Sequence, residues 1–142
     1  MPKFTPEQLT GFPVSLQQVH EFHSVFGHMI NLEPVIPPKA TTDLRVRLLV
    51  EELTELEDAI AAGDIIEVMD ALTDLQYVLD GAYLEFGVAA AKNMGSTEVH
   101  MSNMSKLGED GKPILREDGK ILKGPNYWKP DFARLFTRIF GE

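Results

Sequence analysis

"LLVEELTELEDAIAAGDIIEVMDALTDLQYVLDG", residues 48–81, decides how the rest of the chain is read. It holds two stretches of helical periodicity separated by a short break, Ala-Ala-Gly-Asp. Gly63 suits the position just past a helix, and Asp64 followed by Glu67 has the form of a capping box that opens the next one. A break this short makes the two helices antiparallel neighbours. A helix turns about 100° per residue, so faces can be counted. On the first helix Leu49, Leu53, Leu56 and Ile60 form an apolar stripe. Asp43, Arg47, Thr54 and Asp58 lie opposite, and Glu57 and Asp58 read as ordinary solvated surface. Glu52 and Glu55 share an arc with Leu44 and Leu48, and Glu51 borders it. On the second helix Ile65, Val68, Met69, Leu72, Leu75 and Leu79 make a broad apolar face. Glu67, Asp70, Asp74, Tyr77 and Gly81 sit opposite, flanked by Ile66, Ala71, Val78 and Leu84, which leaves Thr73, Gln76 and Asp80 as the ordinary polar strip. A helix apolar nearly all round is buried on more than one side, so the Asp70–Asp74 stripe is expected to face protein.

Folding back at Gly63 sets Glu55 level with Asp70, and Glu51 and Glu52 level with Asp74. Unpaired carboxylates meeting along one seam repel, and desolvating them costs on the order of several kcal/mol. A hard divalent cation with oxygen ligands removes that penalty, and Mg²⁺ or Mn²⁺ suits such a donor set better than zinc.

The remaining chain extends the helical pattern. "VSLQQVHEFHSVFGHMI" (14–30) spaces Leu16, Val19, Phe22 (or His23) and Phe26 as a helix does. The three prolines of "NLEPVIPPKA" then impose an extended connection. "TTD" at 41–43 offers capping residues for the long helix to about Ala62. The next helix spans about 65–86 with Gly87 as its stop, and an Ala-rich one covers about 88–106. The tail repeats "EDGK" at 109–112 and 117–120, each with an Asp-Gly turn signal, and "PIL" and "KIL" suggest a small hairpin. An amphipathic helix over about 130–140 closes the chain. The expected fold is all-α: a helical bundle of about four main helices with a basic, turn-rich arm (107–130) and a short C-terminal helix, in a single domain over 1–142. His20 and His23 share a helical face. With Phe22 and Phe26 beside them they read as packed or locally hydrogen-bonded, and "HEFH" is one residue short of HExxH.

Composition narrows the function. A chain of 142 residues with 44% hydrophobic and 25% charged residues is an ordinary globular protein. Its formal charge of -9 argues against nucleic acid or an anionic membrane as main partner. Zero cysteines exclude a disulfide framework and a Cys-based zinc site. Neither a signal-peptide core nor an apolar run of spanning length is evident, so the expected location is cytoplasmic.

"EELTE" (51–55) followed by "EVMDALTDLQYVLDG" (67–81) resembles the MazG-like superfamily of all-α nucleoside triphosphate pyrophosphohydrolases. The segments "HEFHSVFG" (20–27), "EVHMSNMSK" (98–106) and "DGK…LKGPNYWKPD" (118–131) resemble its phosphoribosyl-ATP pyrophosphohydrolase-like branch, which includes a MazG-like enzyme acting on dUTP. Together they cover about residues 15–131. The family binds Mg²⁺ through EExxE on one helix and ExxD on the next. Here the second motif aligns on Ala71-Leu72-Thr73-Asp74, so Ala71 stands at the glutamate position; either Asp70 substitutes from beside it, or Glu67 and Asp70 form the pair. The resemblance implies hydrolysis of a nucleoside triphosphate between the α and β phosphates, giving a monophosphate and pyrophosphate. It implies metal at Glu52, Glu55, Asp70 and Asp74, with Glu51 as a further ligand or the base that orients water. Asn103 would reach sugar or base and Lys106 phosphate. Lys112, Lys120 and Lys123 would come from the arm as a lid or stand as plain surface charges, and Tyr127 and Trp128 would stack on a base or serve packing. A homodimer or dimer of dimers is expected. Two alternatives stay open: a phosphoribosyl-ATP pyrophosphohydrolase, and a non-catalytic helical oligomerisation module.

Overall fold

The structure is a computed structural model that describes residues 2–141. These fall into two compact units that divide between Ala90 and Ala91.

The first unit holds α1 (Pro6–Leu9), α2 (Val14–Phe26), α3 (Lys39–Ala62) and α4 (Ile65–Glu85). The most extensive pairing is α3 on α4, and α2 packs on α4 as well. The turn between α3 and α4 is built as its sequence dictates. Gly63 adopts φ 66°, a left-handed conformation that side chains resist, and its N–H bonds back to the last turn of α3. Asp64 then accepts the N–H groups of Ile66 and Glu67 at 3.1 and 3.2 Å, satisfying two donors that the helix start leaves open. The apolar core gathers Phe4, Leu16, Val19, Ile30, Leu84 and Ala89, with Leu9, Phe12 and Tyr83 packed against it. Fully burying a leucine such as Leu16 or Leu84 contributes about 2 kcal/mol. The connection after α2 runs along the C-terminal end of α4: Asn31 donates to the Leu84 carbonyl, and Val35 to that of Phe86. It passes so close that a Cβ on Gly87 would lie 2.5 Å from the Glu33 carbonyl carbon, which explains the glycine at the helix stop.

Several details differ from the sequence reading. The helix expected over 14–30 ends at Phe26. α3 begins at Lys39, with Pro38 as its cap and no side-chain capping bond, so Thr41 and Thr42 lie inside the first turn. Proline's fixed φ suits a helix entrance, and this outweighs the capping hydroxyls. The apolar face of α4 is not covered: Ile65, Met69, Leu72 and Leu79 are exposed. Asp80, placed in the polar strip, is fully buried; one carboxylate oxygen accepts from Gln76 at 3.0 Å and the other has no partner. His20 and His23 are buried packing residues. The His20 ring accepts the Phe4 N–H at 3.1 Å, and the His23 ring bonds the Met29 carbonyl at 2.9 Å.

A 3₁₀ turn, Ala89–Ala91, carries the chain across the division between the units and into α5 (Lys92–Met104) of the second. The expected helix from 88 is therefore shorter at both ends. The hairpin is present as β1 (Ile114–Leu115) against antiparallel β2 (Ile121–Leu122), and all four strand residues are exposed. α6 (Phe132–Phe140) starts on Asp131, whose side chain accepts the Arg134 N–H at 3.0 Å. Hydrogen bonds lay the preceding segment along α5. Ser102 donates to the Trp128 carbonyl, the Trp128 N–H reaches Ser105 Oγ, and the Asp131 N–H reaches Glu98.

Candidate metal centre

Heptad spacing builds the α3–α4 seam. Arg45, Glu52 and Ala59, seven apart, form one stripe of α3, and all three are buried or half-buried. Ala71, Asp74, Val78, Gly81 and Glu85 form the facing stripe of α4 at alternating spacings of three and four. Small residues bring the backbones close, and the acids are carried in with them.

Glu52, Glu55 and Asp74 each offer a carboxylate oxygen, and the three oxygens lie within 4.8 Å of one another. Glu52 Oε2 is buried with no hydrogen-bond partner. Burial, then the charges of Asp74 and Glu55, push the Glu52 carboxyl up to about 7. Burial, then Asp70 and Glu55, raise Asp74 as well. Each shift has the sign expected where negative groups converge without compensating charge. The donor set fits a hard divalent cation: it is all oxygen, it spans two helices, and it contains a buried acceptor that an ion would satisfy.

Asp70 is outside the close trio and exposed, but its charge acts on both Asp74 and Glu52. With Glu55, Asp58, Asp64 and Glu67 it lines a groove of about 510 Å³ between the ends of α3 and α4. Glu51 is exposed on the neighbouring arc. In the second unit Asn103 is exposed and Lys106 half-buried. α5 ends at Met104, so Lys106 follows in a turn; its carbonyl accepts the Gly124 N–H at 2.8 Å. Lys112 and Lys120 are exposed on the arm, and the Lys123 ammonium lies 5.0 Å from the Tyr127 ring centre. Trp128 lines a separate pocket of about 400 Å³ with Met94, Met101 and Leu135. Charge is divided between the units. Residues 1–90 hold fifteen of the twenty-two Asp and Glu but four of the thirteen Lys and Arg.

A family model, phosphoribosyl-ATP pyrophosphohydrolase, matches residues 19–103, which include both acid-bearing helices. The chain belongs to this family. It is thereby a member of the MazG-like all-α nucleoside triphosphate pyrophosphohydrolase superfamily. Pyrophosphohydrolases of this kind generally use divalent metals, in keeping with the acidic cluster. An uncharacterized protein of Acanthamoeba polyphaga mimivirus is 37% identical over 78 residues, covering 51% of this chain. The match spans 30% of that relative's length. No helix among the described residues is long and apolar enough to cross a membrane.

Sequence reasoning placed Gly81 on the acid-bearing face but passed over Arg45 and Glu85, both buried at the same seam. The signal was available: Arg45 stands seven residues before Glu52 and shares its stripe.

Proposed function

We propose that this pyrophosphohydrolase-family protein cleaves nucleoside triphosphates between the α and β phosphates, releasing a nucleoside monophosphate and pyrophosphate, with Mg²⁺ or Mn²⁺ as cofactor. The observation that carries the reading is the convergence of Glu52, Glu55 and Asp74 from two helices, with a buried, unpartnered oxygen on Glu52. In this reading these three hold the ion, with Asp70 reinforcing the site's charge. A bound divalent cation neutralises the polyphosphate and activates water. Glu51, exposed beside the cluster, orients the attacking water and takes its proton. Asn103, Lys106, Lys120, Lys123 and Trp128 are the proposed substrate contacts: cations for phosphate, the indole for a base. The same reading takes residues 1–142 as one functional domain of a cytoplasmic homo-oligomer that acts on free nucleotides, dUTP among them, rather than on nucleic acid.

Pyrophosphate release tests this. Across the common ribo- and deoxyribonucleoside triphosphates with Mg²⁺, at least one should be hydrolysed, and Glu52→Gln should lower turnover by about 100-fold or more. Silence across the panel sinks the proposal. The family model's own description favours phosphoribosyl-ATP as a second substrate, to be included in the same assay. A third reading, a non-catalytic helical module, predicts no rise in melting temperature with Mg²⁺ or Mn²⁺.

A further inference from the structure

We infer that Arg45 is a positioning residue, clasped between the Glu85 carboxylate and the bare backbone of Gly81, which fixes the register of α3 on α4 and so holds the two halves of the acidic cluster within reach of one ion. The inference rests on the metal-site reading and adds to it a residue that touches neither ion nor substrate.

Arg45 and Glu85 are both buried, with side chains 7% exposed, and Arg45 Nε donates to Glu85 Oε1 at 2.6 Å. Arg45 Nη1 donates to the Val78 carbonyl at 3.1 Å. Nη2 lies 3.5 Å from His23 Nε2. The Met29 carbonyl can only accept, so the proton of a neutral His23 ring sits on Nδ1 and its Nε2 lone pair faces the guanidinium. The plane of the guanidinium lies against Gly81, where a Cβ would come within 2.7 Å of Cζ. One planar cation is thus fixed to α4 at a carboxylate, a carbonyl and a glycine, and its fork admits one longitudinal position.

The short turn at Gly63 and Asp64 sets the two helices roughly level, and the small residues of the seam add little to fix the exact height. Ala59, Ala71 and Gly81 are too small to interlock strongly, and the acids between them repel. A slip of one residue displaces a helix by about 1.5 Å, and one turn by about 5.4 Å. A slip of one turn exceeds the 4.8 Å within which the three carboxylates now meet, and a slip of one residue uses up about a third of it. Glu52 follows Arg45 by two turns on the same stripe, so the clasp sets its height directly. A buried polar pair that selects register among otherwise permissive packings is the best-attested use of such pairs.

Single variants that strand a buried charge can unfold, so the main test is Arg45→Met with Glu85→Leu, which replaces the pair by apolar groups of similar size. The chain has no cysteine, so spin labels at introduced cysteines replacing Thr54 and Thr73, exposed on α3 and α4, report only the chosen distance. Labelled chains are diluted into unlabelled protein to read the intrachain pair. The double variant should fold, yet show a shifted or broadened label distance and a Mn²⁺ affinity at least tenfold weaker. Gly81→Ala should do the same in milder form. An unchanged distance in the folded double variant overturns the clasp, and so does an unchanged Mn²⁺ affinity. If the parent protein binds no Mn²⁺, the metal reading fails by itself, and the label distance still decides whether Arg45 sets the register.

Discussion

Glu52 is the residue whose chemistry departs furthest from that of an ordinary surface acid. Its carboxyl, at about 7 in the folded chain against 4.5 ordinarily, keeps a proton that the unfolded chain gives up. Between those values the folded state therefore binds more protons, and stability falls as pH rises. The penalty is complete above about 7, where the carboxylate is bare beside Asp74 and Glu55. In metal-free buffer the melting temperature should decline from pH 5 to pH 8, and Glu52→Gln should lose most of that decline. Equal slopes for the two proteins would show that another group is responsible. A cation competes with the same proton, so Mn²⁺ affinity should climb through pH 7. Burial also lowers His23, with Arg45 acting in the same direction against its bond to Met29.

The decisive element is the α3–turn–α4 hairpin, and most of it was legible before any coordinates. Gly63 and Asp64 announce the turn, face counting lifts Glu52, Glu55 and Asp74 out of a crowd of acids, and the short break sets their level. Asp70 was placed with them by the same counting; it is exposed, lies outside the close trio of oxygens, and its charge raises Asp74. Other features lay beyond local pattern. Pro-Glu-Gln-Leu is too short to show periodicity, so α1 went unread. The burial of Asp80 and Arg45 depends on what α2 brings against α4, which no window of a single helix contains. Because the Asp64 side chain bonds two N–H groups, Asp64→Ala should cost about 1 kcal/mol of stability, measured by denaturant melts. A loss below about 0.3 kcal/mol would mean that Gly63 and the packing alone define the turn.

At the scale of the whole molecule, α3 and α4 expose large apolar residues, among them Leu53, Ile60, Met69 and Leu72, and exposed apolar patches mark interaction surfaces. This supports the proposed homo-oligomer. Met69→Glu with Leu72→Glu should shift the sedimentation coefficient toward that of a 15.9 kDa chain, whereas a parent already sedimenting at that mass would end the proposal. The uneven division of charge carries a different implication, about the ionic atmosphere. Residues 1–90 hold a dense excess of like charge with little opposite charge among them. The Debye length shrinks from about 30 Å at 0.01 M to about 8 Å at 0.15 M salt, so added NaCl quiets that self-repulsion. At pH 8, without divalent ions, the protein should melt at a higher temperature in 0.15 M NaCl than in 0.01 M. A protein held together chiefly by surface ion pairs would respond with the opposite sign, and so this chain is expected to be sturdier in brine than in distilled water.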